Sequence, residues 1–220
     1  MDSPVSQPAP RTAVRRIPEK QVNDRSALDA LLSCALVGHA AVVDGDQPFV
    51  LPVAIAPDGD HVLCHGSTAS RLFRTLAAGA PTCLTVTVID ALVLARSLFN
   101  SSMHYRSAVV LGRCVQLEGE QKRRALGVLS EHLMPGRSVD AREPTTKELA
   151  ATTVLALPLT EWSLKISAAP PDDDQADLDR PIWAGTVALQ HVWGVMTPAP
   201  DLVGDPPVPG YVGAWPNGRT

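Results

Sequence analysis

The chain has only three Phe and two Tyr in 220 residues, no apolar run of 18 or more, no Cys-x-x-Cys pair and no basic stripe. Each absence closes off a class of function. Without a long apolar run there is no transmembrane helix to read, and no membrane partner is expected. A net charge of −4, with so few rings to stack on bases, argues against nucleic acid and leaves small molecules as the expected partners. Cys34, Cys64, Cys83 and Cys114 are scattered, with no His at zinc-finger spacing, so they read as small buried hydrophobes and no metal site is expected. His61 and His65 are four apart, but "HVLCH" reads as a strand, on which the two rings would stand about 13 Å apart, too far to share a metal. The N-terminal "MDSPVSQPAPRTAVRR" has basic residues with no apolar segment behind them, so a secretory signal is not indicated and the expected address is the cytoplasm. A Walker lysine and a G-x-G-x-x-G turn are also lacking, which removes the common polyphosphate-binding loops.

What is present suffices for one domain with a sizeable core. The Pro- and Ala-rich residues 1–22 read as a flexible arm, 23–196 as the folded domain and the Pro/Gly-rich 197–220 as a tail. In "NDRSALDALLSCALVG", Leu28, Leu31, Leu32 and Ala35 fall at helical spacing, with Ser26 the expected N-cap. Short apolar segments follow, punctuated by the Asp-Gly turns "DGDQ" and "PDGD", which predicts hairpins. The spacing of Ala69, Leu72, Phe73, Leu76 and Ala77 predicts a helix ended by Gly79 and Pro81. "PTCLTVTVIDALVLAR" and "HYRSAVVLGRCVQLEG" read as long strands, the second with Gly112 as an expected bulge or barrel bend. "EQKRRALGVLSEHL" reads as a helix with Leu126, Leu129 and Leu133 inward. "ATTVLALPLTEWSLKISA" and "PIWAGTVALQHVWG" supply further strands. Strands outnumber helices and lack βαβ alternation, so the expected class is mainly β, an antiparallel barrel with a few helices.

Two polar stretches invite a ligand. In "HGSTASR" a turn would feed a helix N-terminus, where unpaired amides, hydroxyls and Arg71 suit a phosphomonoester; the plainer reading is a capped helix with Arg71 in water. "NSSMHYRS", residues 100–107, packs more polar groups between two strands than a hairpin needs, or is a long solvated loop.

The run "HGSTASRLFRTLAAGAPTCLTVTVIDALVLARS", followed by "NSSMHYRSAVVLG", "MPGR" and "WAG", resembles the flavin-binding split-barrel family related to pyridoxamine 5′-phosphate oxidase, and within it the flavin-nucleotide-binding, nitroimidazole-resistance-like subgroup. The resemblance runs from about residue 24 to about 195. It implies an antiparallel split β-barrel and a homodimer binding FMN between its subunits. It implies that His65, Gly66, Ser67, Ser70 and Arg71 surround the FMN phosphate and ribityl chain. Ser102, Tyr105, Arg106 and Ser107 would lie along the isoalloxazine or the dimer seam, and Lys165 and Trp183 at the pocket edge. Leu72 stands where many relatives carry a second basic residue, and "KISAAPP" replaces a more basic segment. The implied activity is an FMN-dependent oxidoreductase passing hydride or electrons to a small molecule, with no evident nucleophile and with His104 and Tyr105 as candidate proton donors. Three alternatives stay open: the deazaflavin F420, which the acidic net charge does not favour; haem, with His61, His65, His104 or His191 as axial ligand; and a flavin-binding protein without turnover.

Overall fold

A computed structural model describes residues 11–204 and 206–215. The opening helix, α1 (Arg25–Cys34), buries Leu28, Leu31 and Leu32 completely. Its N-cap is Asp24, whose carboxylate accepts from the Ser26 amide at 2.9 Å, so Ser26 lies inside the first turn and is not the cap. Next come β2 (Val37–Asp44), β3 (Gln47–Asp58) and β4 (His61–Ser67), an antiparallel meander whose turns place Gly45 and Gly59 at φ of 66° and 57°. Those angles explain both Asp-Gly pairs. "HGS" is therefore the end of a strand and not a turn: Gly66 and Ser67 pair with Thr153 and Thr152.

After α2 (Arg71–Ala77), β5 (Pro81–Leu94) and β6 (Ser102–Arg113) form the longest ladder in the molecule. The chain then makes β7 (Val115–Leu117), α3 (Gly119–Leu133), α4 (Thr146–Ala151), β8 (Thr152–Pro158), β9 (Trp162–Ser167), β10 (Gly185–Ala188) and α5 (Gly210–Ala214). The expected bulge at Gly112 is not there, since Gly112 pairs regularly with Thr82; the ladder slips instead between Ile89 and Ala91, leaving Asp90 as the extra residue. On α3, Ala125 and Leu129 are buried, whereas Leu126 and Leu133 are only half-buried. Of the segment read as an arm, residues 12–22 run beside the barrel, where β1 (Gln21–Val22) pairs with β9, and residues 1–10 lie outside the described ones.

Every described strand pairing is antiparallel, in the order β1-β9-β6-β5-β2-β3-β4-β8-β7, with β10 pairing β5 off this path. The two ends do not meet, so the sheet curls without closing: a split barrel. Leu84, Val86, Ala108, Val110 and Leu164 from one half meet Ile55, Val62, Leu155 and Leu157 from the other, with α1 and α2 packed onto the same core. A second core lies across β4 and β8, where Leu63, Val154 and Ala156 face Ala125 and Leu129 of α3. Strands covered on both faces need no polar alternation, which is why "VLALP", residues 154–158, reads as an unbroken apolar run. Among the described residues no helix is long and apolar enough to cross a membrane.

Candidate functional site

β2 and β5 pair over three residues only, His39–Ala41 against Cys83–Thr85, and then part. Where they part, two adjoining cavities of ≈ 410 and ≈ 510 Å³ share Cys34, Val88, His191, Val192 and Trp193 and form one cleft. Its walls are largely apolar, and its charged groups are Arg106 and Asp90. Ala108 and Val110 point into the core with no exposure, and alternation carries Arg106, two residues earlier, to the same side opposite Val88. Its Nε and Nη2 donate to the two carboxylate oxygens of Asp90 at 3.1 and 2.8 Å, and Nη1 lies 3.7 Å from Cys34 Sγ. The hydrogen bond to Asp90 is the main cause of an upward shift of the Arg106 pKa, so this cation is permanent. Alternation keeps Asp90 on the side of Val86 and Val88, next to Arg106, and the bulge there moves the buried row to Ala91 and Val93.

The other β6 residues divide by the same alternation. Ser107 faces outward, its Oγ 3.0 Å from Thr87 Oγ, with Lys165 its register partner on β9. Lys165 Nζ donates to the Arg16 carbonyl at 3.2 Å, and Tyr105 lies under Lys20 Nζ, 5.9 Å from the ring centre. His104 Nε2 is 2.8 Å from the Ala169 carbonyl, and Ser102 is exposed at the start of the strand. Only Arg106 of this strand lines the cleft.

The five residues expected around a phosphate are not brought into one pocket. A Cβ on Gly66 would lie 2.2 Å from the Phe73 ring, so this glycine is required by the packing of α2 on β4. The amides of Thr68, Ala69 and Ser70 already donate, to the Ala151 carbonyl, Ser67 Oγ and the Ser67 carbonyl. Arg71 lies over the Phe49 ring at 3.6 Å, with Asp44 3.7 Å away, and shares a shallow surface groove with Arg74 and Arg113. His65 belongs to the opposite face of β4, on the side of Leu63.

There it lines a separate cavity of ≈ 470 Å³ with Leu126, Pro144, Leu149 and Arg142. Burial lowers its pKa, so the imidazole is neutral at pH 7, and its buried Nδ1 makes no hydrogen bond. Arg142 is held by Glu148 at 2.6 and 2.8 Å, and Glu148 completes a capping box with Thr145 at the start of α4. Among the described residues no three His, Cys, Asp or Glu gather to hold a metal ion.

Trp183, 64% exposed, folds over Gly185 and is neither core nor cleft. The cleft aromatic is Trp193, ten residues on in "QHVWG", which sequence reasoning passed over together with Asp90 and Cys34. A usable signal existed for one of them: Asp90 interrupts the alternation of Leu84, Val86 and Val88. The cysteines are free, Cys64 buried and the other three half-buried, so only Cys64 is the fully buried hydrophobe expected. Burial pushes the Cys64 thiol up to about 12.

The outer face of β2, β3 and β5 is apolar where solvent would favour polar residues, with Val43, Val50, Ile89 and Leu92 all more than 40% exposed.

Comparison with known proteins agrees with this architecture. The family model described as pyridoxamine 5′-phosphate oxidase matches residues 24–166. Among solved structures, the FAD and haem binding protein from Mycobacterium smegmatis is 40% identical with a TM-score of 0.86, covering 89% of this chain and 96% of its own. The flavocytochrome Anf3 from Azotobacter vinelandii is 33% identical with a TM-score of 0.86, covering 92% and 94%. A protein described as a 5-nitroimidazole antibiotic resistance protein from Bacteroides thetaiotaomicron shares the fold at 20% identity and a TM-score of 0.57, covering 66% and 86%. No curated protein matches. By the family-model match over residues 24–166 and by its likeness in sequence and fold to these structures, the chain belongs to the pyridoxamine 5′-phosphate oxidase family.

Proposed function

We propose that this protein is a flavin-binding redox protein, acting as a homodimer, that also accommodates haem. The observation that carries the flavin reading is Arg106, a permanent cation at an inward strand position, braced by Asp90 inside an apolar-walled cleft. A ligand suited to such a cleft has a flat apolar body and an electron-rich polar edge, and a flavin has both. Bound flavin supplies hydride or single-electron transfer; the chain supplies position and field. Arg106 offers a positive charge and N–H donors to the polar edge, Val88 and Trp193 exclude water, and Asp90 fixes the guanidinium. His191 also lines the cleft and is the candidate for holding a proton beside the ligand. Two similar proteins are named for FAD and haem or as a flavocytochrome, which supports a dinucleotide as readily as FMN.

The haem reading rests on His65. The cavity offers a neutral imidazole with an unpaired nitrogen, apolar contacts from Leu126, Pro144 and Leu149, and Arg142, which an acidic porphyrin side chain would have to share with Glu148. A cluster of three protein ligands is not needed, because the porphyrin supplies the other donors.

The experiment is a pair of titrations on ligand-free protein, FMN and FAD in one and haemin in the other. Arg106→Ala is expected to weaken flavin about tenfold or more, the scale of one lost charge-assisted contact, without altering the haemin spectrum. His65→Ala is expected to abolish the haemin spectral shift and leave flavin affinity unchanged. Flavin binding indifferent to Arg106→Ala would remove the cleft as its site.

A further inference from the structure

From Leu189 onward the chain does something the barrel does not require. Leu189 continues β10 by donating to the Asp90 carbonyl at 2.9 Å, and the segment through Trp193 then forms the outer wall of the cleft. Beyond it the chain returns to the body of the protein around Trp193 and the loop after α3. The Trp215 ring lies 5.5 Å from Trp193 and 6.3 Å from Tyr211. Trp215 Nε1 donates to the Pro135 carbonyl at 2.9 Å, Tyr211 Oη donates to Asp140 at 2.8 Å and Arg137 donates to Tyr211 Oη at 3.0 Å. Tyr211 also sits on Gly136, where an added Cβ would come within 3.0 Å of it. A glycine there leaves room for the ring as well as the left-handed turn at φ 82°.

α5 itself buries no residue. Among the described residues, Tyr211 and Trp215 with their hydrogen bonds tie the segment to the loop after α3 as a latch. The loop it grips, residues 135–140, runs directly into Ala141 and Arg142, which wall the His65 cavity.

We infer that residues 189–204 and 206–215 form a latched strap over the cleft, in which Tyr211 and Trp215 are positioning residues that hold Trp193 against the bound ligand. The inference deepens the flavin reading of the cleft and rests on it for the ligand's identity. Tyr211 and Trp215 line neither cleft cavity, so their effect on binding must pass through Trp193. Opening the latch lets the ligand leave; closing it shields the ligand from water. Because the latch loop leads directly into Ala141 and Arg142 of the His65 cavity, a ligand there that orders Arg142 would favour the closed strap, and the two sites would strengthen each other reciprocally.

The test uses the full chain with Trp215→Ala and Tyr211→Phe. Flavin release is followed by stopped-flow fluorescence, and exposure of residues 194–204 by limited proteolysis with and without FMN or FAD. The expected result is release about tenfold faster in Trp215→Ala, from loss of one aromatic pair and one hydrogen bond, and a smaller acceleration in Tyr211→Phe. Trp215→Ala should also make the strap readily cleavable, and flavin should protect the wild type. Unchanged release in both variants, with a strap no more cleavable than in the wild type, would overturn the inference. Should the wild type bind no flavin, the flavin reading fails, and the strap is judged by whether Trp215→Ala makes residues 194–204 cleavable in the ligand-free protein.

Discussion

Single residues in this protein are constrained for reasons that their chemistry alone does not announce. Gly66 sits in a stretch that suggests phosphate binding, yet its missing side chain makes room for Phe73. Gly66→Ala should therefore destabilise the fold by about 1–3 kcal/mol, the usual range for overpacking. Urea unfolding would measure it, and Phe73→Leu in the same chain should recover part of the loss. Glu148 provides a pH signature. Arg142 first, with help from Thr145, holds its carboxyl at about 2, below the ordinary carboxylate value. A depressed folded-state pKa means that the unfolded chain takes up protons first as pH falls, so the stabilisation is whole above about 4.5 and is lost by about 2. The pair is exposed and salt-screened, so the effect is small. Glu148→Gln, which can still accept and donate at the cap, should lower stability slightly at pH 6 in low salt and not at all near pH 2.

Secondary-structure elements show where the sequence was legible and where it was not. The strands of β5 and β6 were readable because one face of each is buried, leaving the period-two trace of Leu84, Val86 and Val88. α1 was readable because Leu28, Leu31 and Leu32 form one stripe. The register slip at Asp90 was not, because a bulge depends on the partner strand, and with it the Arg106 pairing that builds the cleft was hidden. The convergence of Cys34, Arg106 and Trp193 from three distant segments leaves no local periodicity. The side to which His65 points was equally hidden, since β4 is covered on both faces. One tie between elements is energetically exposed: the Asp173 side chain, 1% exposed, accepts from the Arg96 amide at 2.6 Å and its guanidinium at 2.8 Å. It fastens the loop after β9 to the end of β5. Arg96→Ala would strand a buried carboxylate and should cost about 3–5 kcal/mol by denaturant melt, whereas Asp173→Asn should cost less.

At the scale of the whole molecule, the split barrel carries an apolar outer face that includes Val43, Val50, Ile89 and Leu92. The homodimer proposed here would cover Val50, Ile89 and Leu92, and Leu92→Lys should shift sedimentation from dimer to monomer while leaving the circular dichroism of the strands intact. A dimer unaffected by that substitution would place the interface elsewhere. The cleft and the His65 cavity, read together as cofactor sites of one redox protein, are best tested at this scale. The most direct measurement is a visible absorption spectrum of the purified full-length protein, with the heat-released ligands identified by mass. Two flavin bands with an FMN or FAD mass, joined by a Soret band once haem is available, are the predicted result. A colourless protein that takes up neither added flavin nor haemin would contradict the account, leaving a split barrel whose cleft serves some other ligand.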